Sequence, residues 1–252
     1  MKKMLLSALL VIFLFTGCSK KPEETKSADV WLKEGLTYFE KGKYKKAAEA
    51  FEKSIIEADN PEIAAQAQIF LADSYFFLKN YEEAIPSYEE YLDIYPDSEY
   101  AKQALHRLAL CYYSQIDTID RDQTPTKKAL ENFTKLNEKY PEYAKNADVP
   151  AKIKELREML AEREYYVAKF YLRTKKYKAA EMRFTNIVKN FRDTEIFPKA
   201  AIDFAKYMVE YTNNKTEAIY ILTEALKNKN GQKYLSEVSS LLGKLQEDLK
   251  VN

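Results

Sequence analysis

A helix-pair pattern between Gln68 and Pro96 is the strongest constraint on what this chain can fold into. Apolar residues recur at helical spacing on both sides of a Lys-Asn turn, and a proline ends the second segment. Small side chains at Ala72 and Ala84 allow two helix backbones to approach closely. The space around that contact is filled by Tyr75, Tyr81 and Tyr88. Because one such pair cannot bury its apolar face alone, the chain is predicted to contain further copies.

Four further segments repeat this pattern. Their paired small residues are Gly35 with Ala47, Ala109 with Ala129, Ala168 with Ala180, and Ala205 with Ala218. The pattern resembles the tetratricopeptide repeat, a helix pair of about 34 residues. An amphipathic run after Gly231 is typical of the terminal capping helix of a repeat array. The sequence therefore predicts an all-α fold, an α-solenoid of about five tetratricopeptide repeats with a C-terminal capping helix.

The N-terminus carries the features of an export signal. Two lysines precede a short apolar run that is too short to span a bilayer, and the run ends in Gly17-Cys18. This boundary resembles a bacterial lipobox, so residues 1–17 are predicted to be a lipoprotein signal peptide. Residues 18–27 would then be a lipidated Cys18 and a flexible tether, and Ser19 favours export to the outer membrane. The alternative is an ordinary secreted protein with a chance cysteine.

The repeats are predicted to form two halves. Residues 28–149 would hold repeats one to three, and residues 150–252 a long spine helix, repeats four and five and the capping helix. No helix breaker occurs from Pro150 through Thr174, which predicts that spine. A polar insert in the third repeat is predicted to form a protruding loop. Its central residues are Asp120, Arg121, Asp122 and Gln123.

The sequence offers no recognisable catalytic chemistry. It has one histidine, His106, no cluster with metal-ligand spacing, and only five scattered glycines. A formal net charge of +1 gives no reason to expect nucleic acid as a partner. We therefore expect a protein that is not an enzyme, with no cofactor and no metal.

Large apolar side chains are predicted on the first helices of the first three repeats. In this register Leu36, Phe39, Ile69, Phe76, Phe77 and Tyr113 would line a groove. Such a groove suits an extended or helical peptide with large apolar side chains. The alternative is that these rings pack between adjacent repeats.

The fourth repeat is rich in basic residues. Lys169, Arg173 and Arg183 are the candidate partner-binding residues. An acidic protein partner or lipid headgroups would suit this charge, whereas the alternative is a solvated surface.

The chain as a whole resembles the BamD (YfiO) family of outer-membrane assembly lipoproteins. The resemblance covers the lipobox Cys18, the short tether, five repeats and the insert at Asp120 to Gln123, and it continues in AEREYYVAKFYLRTKKYKAAEMRF. It implies a lipid-anchored scaffold that faces the periplasm. Its C-terminal repeats would bind the barrel-forming assembly subunit, where Arg183 matches a contact arginine, and its N-terminal groove would bind unfolded β-barrel substrates. Other assembly lipoproteins are implied as further partners. The alternative is a lipoprotein adaptor for a pilus secretin or a cell-wall enzyme.

Overall fold

A computed structural model describes residues 26–250, and the predicted signal peptide, Cys18 and most of the tether lie outside them. The described residues form twelve α-helices and no β-strand. The first six helices are α1 (Ala28–Glu40), α2 (Tyr44–Ile56), α3 (Pro61–Phe77), α4 (Tyr81–Ile94), α5 (Ala101–Tyr113) and α6 (Thr124–Lys139). The others are α7 (Pro141–Asn146), α8 (Val149–Arg173), α9 (Tyr177–Asn190), α10 (Phe197–Tyr207), α11 (Lys215–Leu226) and α12 (Leu235–Lys250).

Ten of these helices form five consecutive pairs. Helix α1 packs on α2, α3 on α4, α5 on α6, α8 on α9, and α10 on α11. Helix α12 then covers α11 and α10 at the C-terminal end. The prediction of an all-α tetratricopeptide solenoid with five repeats and a capping helix is confirmed. No helix in the described part of the chain is long and apolar enough to cross a membrane.

Each pair is held by a small residue on the first helix and a large one on the second. The large residues are Phe51, Tyr88, Phe133, Phe184 and Leu222, all fully buried. Burial of one such side chain contributes about 1.5–3 kcal/mol. In the first pair the small partner is needed because the Phe51 ring lies directly over Gly35.

Four of the five pairs are joined by the same turn. Gly42, Lys79, Lys175 and Asn213 lie at equivalent positions with φ of 67°, 58°, 58° and 51°. A left-handed conformation costs a non-glycine residue about 1–2 kcal/mol, so helix packing imposes this turn. In the third pair, residues 114–123 take its place.

The fifth repeat contains one extra residue in its first helix. The interval from Ala205 to Ala218 is one residue longer than that from Ala168 to Ala180. The structure accommodates the addition as a π-helical turn at Met208–Thr212. Both alanines of the fifth repeat remain buried, so the contact between the two helices is preserved.

Helix α8 connects two separate cores. Pro150 lies in its first turn, where the missing backbone N–H costs nothing, and its 25 residues span about 37 Å. Near its start, Leu156 packs in one core with Phe133 of the third repeat. Near its end, Ala168 packs in another with Phe184 of the fourth. The helix therefore fixes the third repeat relative to the fourth.

Replacement of Gly35 by alanine tests the small-to-large contact. A Cβ atom there would lie 2.5 Å from Cε1 of the buried Phe51 ring. We expect Gly35→Ala to lower the free energy of unfolding by about 2 kcal/mol, measured by urea denaturation. Gly243→Ala is the control, since its Cβ atom would meet nothing within 4 Å. It should raise stability by about 0.5–1 kcal/mol. Equal effects of the two changes would contradict this account of the helix contact.

Candidate functional site

The first helices of the N-terminal repeats form one layer. Helix α1 contacts α3, and α3 contacts α5, in addition to their own partners. Their side chains therefore meet across repeat boundaries, as in the groove predicted from the sequence.

The predicted groove residues differ in exposure. Phe77 is 40% exposed, whereas Leu36, Phe39, Phe76 and Tyr113 are partly buried. The prediction for Ile69 is wrong, because this side chain is buried in the core shared by α3, α4 and α5. Ile69 lies one helical turn before Ala72, so it faces the same core as that alanine.

An aromatic cluster, defined as Phe39, Tyr44, Phe76 and Phe77, joins the first two repeats. The Phe77 ring stacks on Tyr44 with 5.0 Å between centroids, and it lies 5.6 Å from Phe39 and 5.4 Å from Phe76. Phe39 also meets Phe70 of the second repeat edge to face at 5.4 Å. Phe39 thus packs between repeats, and Phe77 is the member with the largest open surface.

Arg107 on α5 lies beside this cluster. Its guanidinium carbon is 5.1 Å from the centroid of the Phe77 ring, within the range of a cation–π contact. The same guanidinium forms an ion pair with Asp73 of α3, whose side chain is 1% exposed. Tyr88 donates a hydrogen bond of 2.7 Å to Oδ1 of Asp73. Arg107, Asp73 and Tyr88 together fasten the third repeat to the second beneath the aromatic cluster.

Burial sets the ionisation of this ion pair. It raises the pKa of Asp73 above its usual value, and Arg107 and Tyr88 oppose that shift only in part. Burial lowers the pKa of Arg107, but the Asp73 carboxylate outweighs it and keeps that pKa above its usual value. Because Arg107 already forms an ion pair with Asp73, it is not free to bind the terminal carboxylate of a peptide. No periodic pattern in the sequence marks this pair, since the contact depends on how adjacent repeats are rotated.

Other polar residues of the third repeat face neighbouring helices. Tyr113 donates hydrogen bonds of 2.9 and 2.8 Å to the two carboxylate oxygens of Glu155 on α8. His106 Nδ1 lies 3.0 Å from the hydroxyl oxygen of Tyr143, and burial lowers the pKa of His106. Both side chains therefore have structural partners.

The insert in the third repeat is a compact loop. Gln123 is buried, and its Nε2 donates to the carbonyl oxygens of Thr118 and Arg121 at 3.2 and 3.1 Å. Thr118 also donates to Asp120 Oδ1 at 2.6 Å. Asp122 accepts the backbone N–H of Thr124 at the start of α6. Of the four predicted residues, Gln123 points inward and the other three are exposed.

Of the three predicted partner-binding residues, Arg183 lies apart from Lys169 and Arg173. Arg183 donates to Glu164 of α8 at 3.1 Å, and Lys169 donates to Asp203 of α10 at 2.7 Å. Arg173 is exposed and lies over the Phe170 ring. Glu164 and Arg173 are nine positions apart on α8, which places them about 180° apart around the helix axis. Arg183 therefore does not share a surface with Arg173, whereas Lys169 and Arg173 are neighbours on one face of α8.

No group of three His, Cys, Asp or Glu side chains within residues 26–250 is arranged to hold a metal ion. The groups available for binding in the described residues are therefore aromatic rings, ion pairs between repeats and exposed side chains.

Removal of Arg107 tests whether it is structural. Arg107→Ala would leave Asp73 buried without its ion pair, so we expect a loss of about 3 kcal/mol in unfolding free energy, measured by urea denaturation. The double variant Asp73→Asn, Arg107→Ala should recover part of it, because the amide can still accept the Tyr88 hydroxyl. Lys206→Ala, which breaks an exposed ion pair with Glu237, is the control and should cost less than about 1 kcal/mol. Equal losses for Arg107→Ala and Lys206→Ala would contradict the structural role.

Comparison with known proteins gives a consistent family assignment. The model of the family YfiO, described as outer membrane lipoprotein, matches residues 24–224. The outer membrane protein assembly factor BamD of Rickettsia prowazekii is 32% identical over 194 residues, which cover 75% of this chain and 77% of that protein. The BamD of Vibrio cholerae is 29% identical, with 79% and 88% covered, and that of Caulobacter vibrioides 26%, with 77% and 66% covered. This family consists of non-catalytic scaffolds, in agreement with the prediction that the chain is not an enzyme. The chain belongs to the YfiO family of outer membrane lipoproteins.

Proposed function

We propose that this protein is a non-enzymatic scaffold in the assembly of outer-membrane β-barrel proteins. The observation that carries the proposal is the match to the YfiO family model over residues 24–224, together with relatives that are named outer membrane protein assembly factors. The repeat fold supports it, because stacked helix pairs present extended surfaces for other proteins.

The protein would be anchored to the outer membrane by lipid on Cys18 and would face the periplasm. Lys26, where the described structure begins, is eight positions after Cys18, a distance of at most about 28 Å along an extended chain. The first repeat would therefore stay close to the membrane surface. Several acyl chains make a durable anchor, since each buried methylene contributes about 0.8 kcal/mol.

The N-terminal repeats would bind segments of unfolded β-barrel substrates beside the aromatic cluster. Phe77 is the ring with free surface, and Tyr44, Phe39 and Phe76 hold it in place. An exposed ring on a rigid support loses little conformational freedom when it binds an apolar side chain. Its cation–π contact with Arg107 further restricts the ring.

Replacement of Phe77 tests this groove. We expect Phe77→Ala to weaken binding of a labelled extended peptide from a β-barrel protein by about fivefold, measured by fluorescence anisotropy. The reason is loss of the apolar contact surface, so helical content by circular dichroism should stay unchanged. Ile56→Ala, at another exposed apolar side chain, is the control and should bind normally. Unchanged affinity of Phe77→Ala would rule out this ring as a peptide contact.

The fourth repeat would dock on the barrel-forming assembly subunit through Arg183. Nη1 of Arg183 donates hydrogen bonds of 3.1 and 3.2 Å to the two carboxylate oxygens of Glu164, and these bonds hold the arginine in place. The rest of the guanidinium remains open, since Arg183 is an exposed residue. Lys169 is neutralised by Asp203 and would contribute less to such a contact.

A charge swap separates partner binding from local stability. Arg183→Glu should abolish co-purification with the barrel-forming subunit, because it reverses the charge offered to the partner. The double variant Glu164→Arg, Arg183→Glu keeps an internal ion pair, and it should still fail to bind. Lys189→Glu on the same helix is the control and should retain the complex. Normal co-purification of the double variant would show that Arg183 acts only through its pair with Glu164.

A further inference from the structure

One face of α8 carries a stripe of two exposed aromatic rings that lie between a half-buried and an exposed arginine. We define the α8 stripe as Arg163, Tyr166, Phe170 and Arg173. The steps along the chain are three, four and three residues, which place all four side chains on one face of the helix. Tyr166 is 49% exposed and Phe170 42%. The two arginines are ten residues apart, or about 15 Å along the axis.

The two arginines of the stripe differ from most others in the described chain. Arg107, Arg157, Arg183 and Arg192 each form an ion pair with a carboxylate. Within residues 26–250, neither Arg163 nor Arg173 has a carboxylate within ion-pair distance. Each instead lies near an exposed ring, Arg163 at 5.9 Å from Tyr166 and Arg173 at 5.8 Å from Phe170.

Two acidic residues lie close to Arg163 without neutralising it. Asp120 of the insert loop is hydrogen-bonded to Thr118, and this bond, helped by the more distant charge of Arg163, holds the pKa of Asp120 below its usual value. Glu162 precedes Arg163 in the chain and is exposed. On the side of Arg173, the Asp203 carboxylate is paired with Lys169, one helical turn away. The stripe therefore presents two cations with apolar rings between them.

The spacing and charge of the stripe indicate what could cover it. Steps of three and four residues are the seam spacing by which one helix packs against another. A complementary helix would place apolar side chains on the two rings and carboxylates at the two ends. An arginine that pairs with a carboxylate while resting on an aromatic ring gains from both contacts.

We propose that the α8 stripe is a docking site for an acidic amphipathic helix of a partner protein. Its apolar seam packs on Tyr166 and Phe170, and two carboxylates about ten residues apart pair with Arg163 and Arg173. The site goes beyond the docking proposed for Arg183. Glu164, the partner of Arg183, is on the opposite side of α8 from Arg173.

The test uses full-length protein purified in detergent and two synthetic helical peptides. The first carries leucines at the central seam positions and glutamates that match the two arginines, and the second has glutamine in place of both glutamates. We expect the glutamate peptide to bind at least about fivefold more tightly than the glutamine peptide by fluorescence anisotropy. Equal affinity for the two peptides would overturn the proposal.

Charge reversal gives the decisive comparison. The variant Arg163→Glu, Arg173→Glu should lose the preference for the glutamate peptide and bind a matching lysine peptide at least about fivefold more tightly. Tyr166→Ala with Phe170→Ala should weaken all peptides, and Lys45→Glu, at an exposed lysine of the first repeat, should change nothing. Failure of the lysine peptide to recover binding would overturn the proposal. So would binding to anionic lipid vesicles that is lost in the charge-reversed variant while peptide binding is kept. Association with the barrel-forming subunit is not part of this measurement, so the two proposals can fail independently.

Discussion

The structure depends on the close approach of two helices where a small residue on one meets a large buried side chain of the other. In the first repeat a glycine is required, since the Phe51 ring lies where the Cβ atom of any other residue at position 35 would be. In the other repeats, an alanine shares one buried core with Tyr88, Phe133, Phe184 or Leu222. Once each pair is closed in this way, its remaining apolar surface can be covered only by the next pair. The array follows from that requirement, and α12 ends it with a helix whose outer face is polar.

The departures from a regular repeat occur where they leave this contact intact. The insert of the third repeat replaces the turn between its helices, and the extra residue of the fifth is taken up by a π-helical turn after Tyr207. Helix α8 is long because it belongs to two cores in succession. Each departure changes a connection or an end of a helix, where few buried contacts are lost. Such positions can acquire new roles without loss of the fold.

This distinction explains what could be predicted from the sequence. The small-to-large contact is made between helices close in the chain, so its residues recur at fixed spacing and predict both the repeats and the uninterrupted α8. The groove depends instead on the rotation of one repeat against the next. That rotation buries Ile69 and brings Asp73 to Arg107, and it packs Phe39 against Phe70. No periodic pattern marks such contacts. The pairing of Arg183 with Glu164 was missed for a similar reason, because it depends on which faces of α8 and α9 meet.

Charge within the C-terminal half follows from the same packing. The fourth repeat is basic in composition, but Lys169, Arg183 and Arg192, the last in the turn after α9, each have a carboxylate partner on a different element. These ion pairs join α8, α9, α10 and α11, so much of the apparent basic surface is used to hold helices together. Exposed ion pairs of this kind contribute little stability, about 0–1 kcal/mol each. They nevertheless help to determine which side of each helix faces its neighbour. Arg163 and Arg173 of α8 form no ion pair within the described residues and lie beside exposed rings. These arginines and rings add little to the stability of the fold, because neither the charges nor the apolar surfaces are paired within the described part of it. Such a surface is better suited to binding a partner.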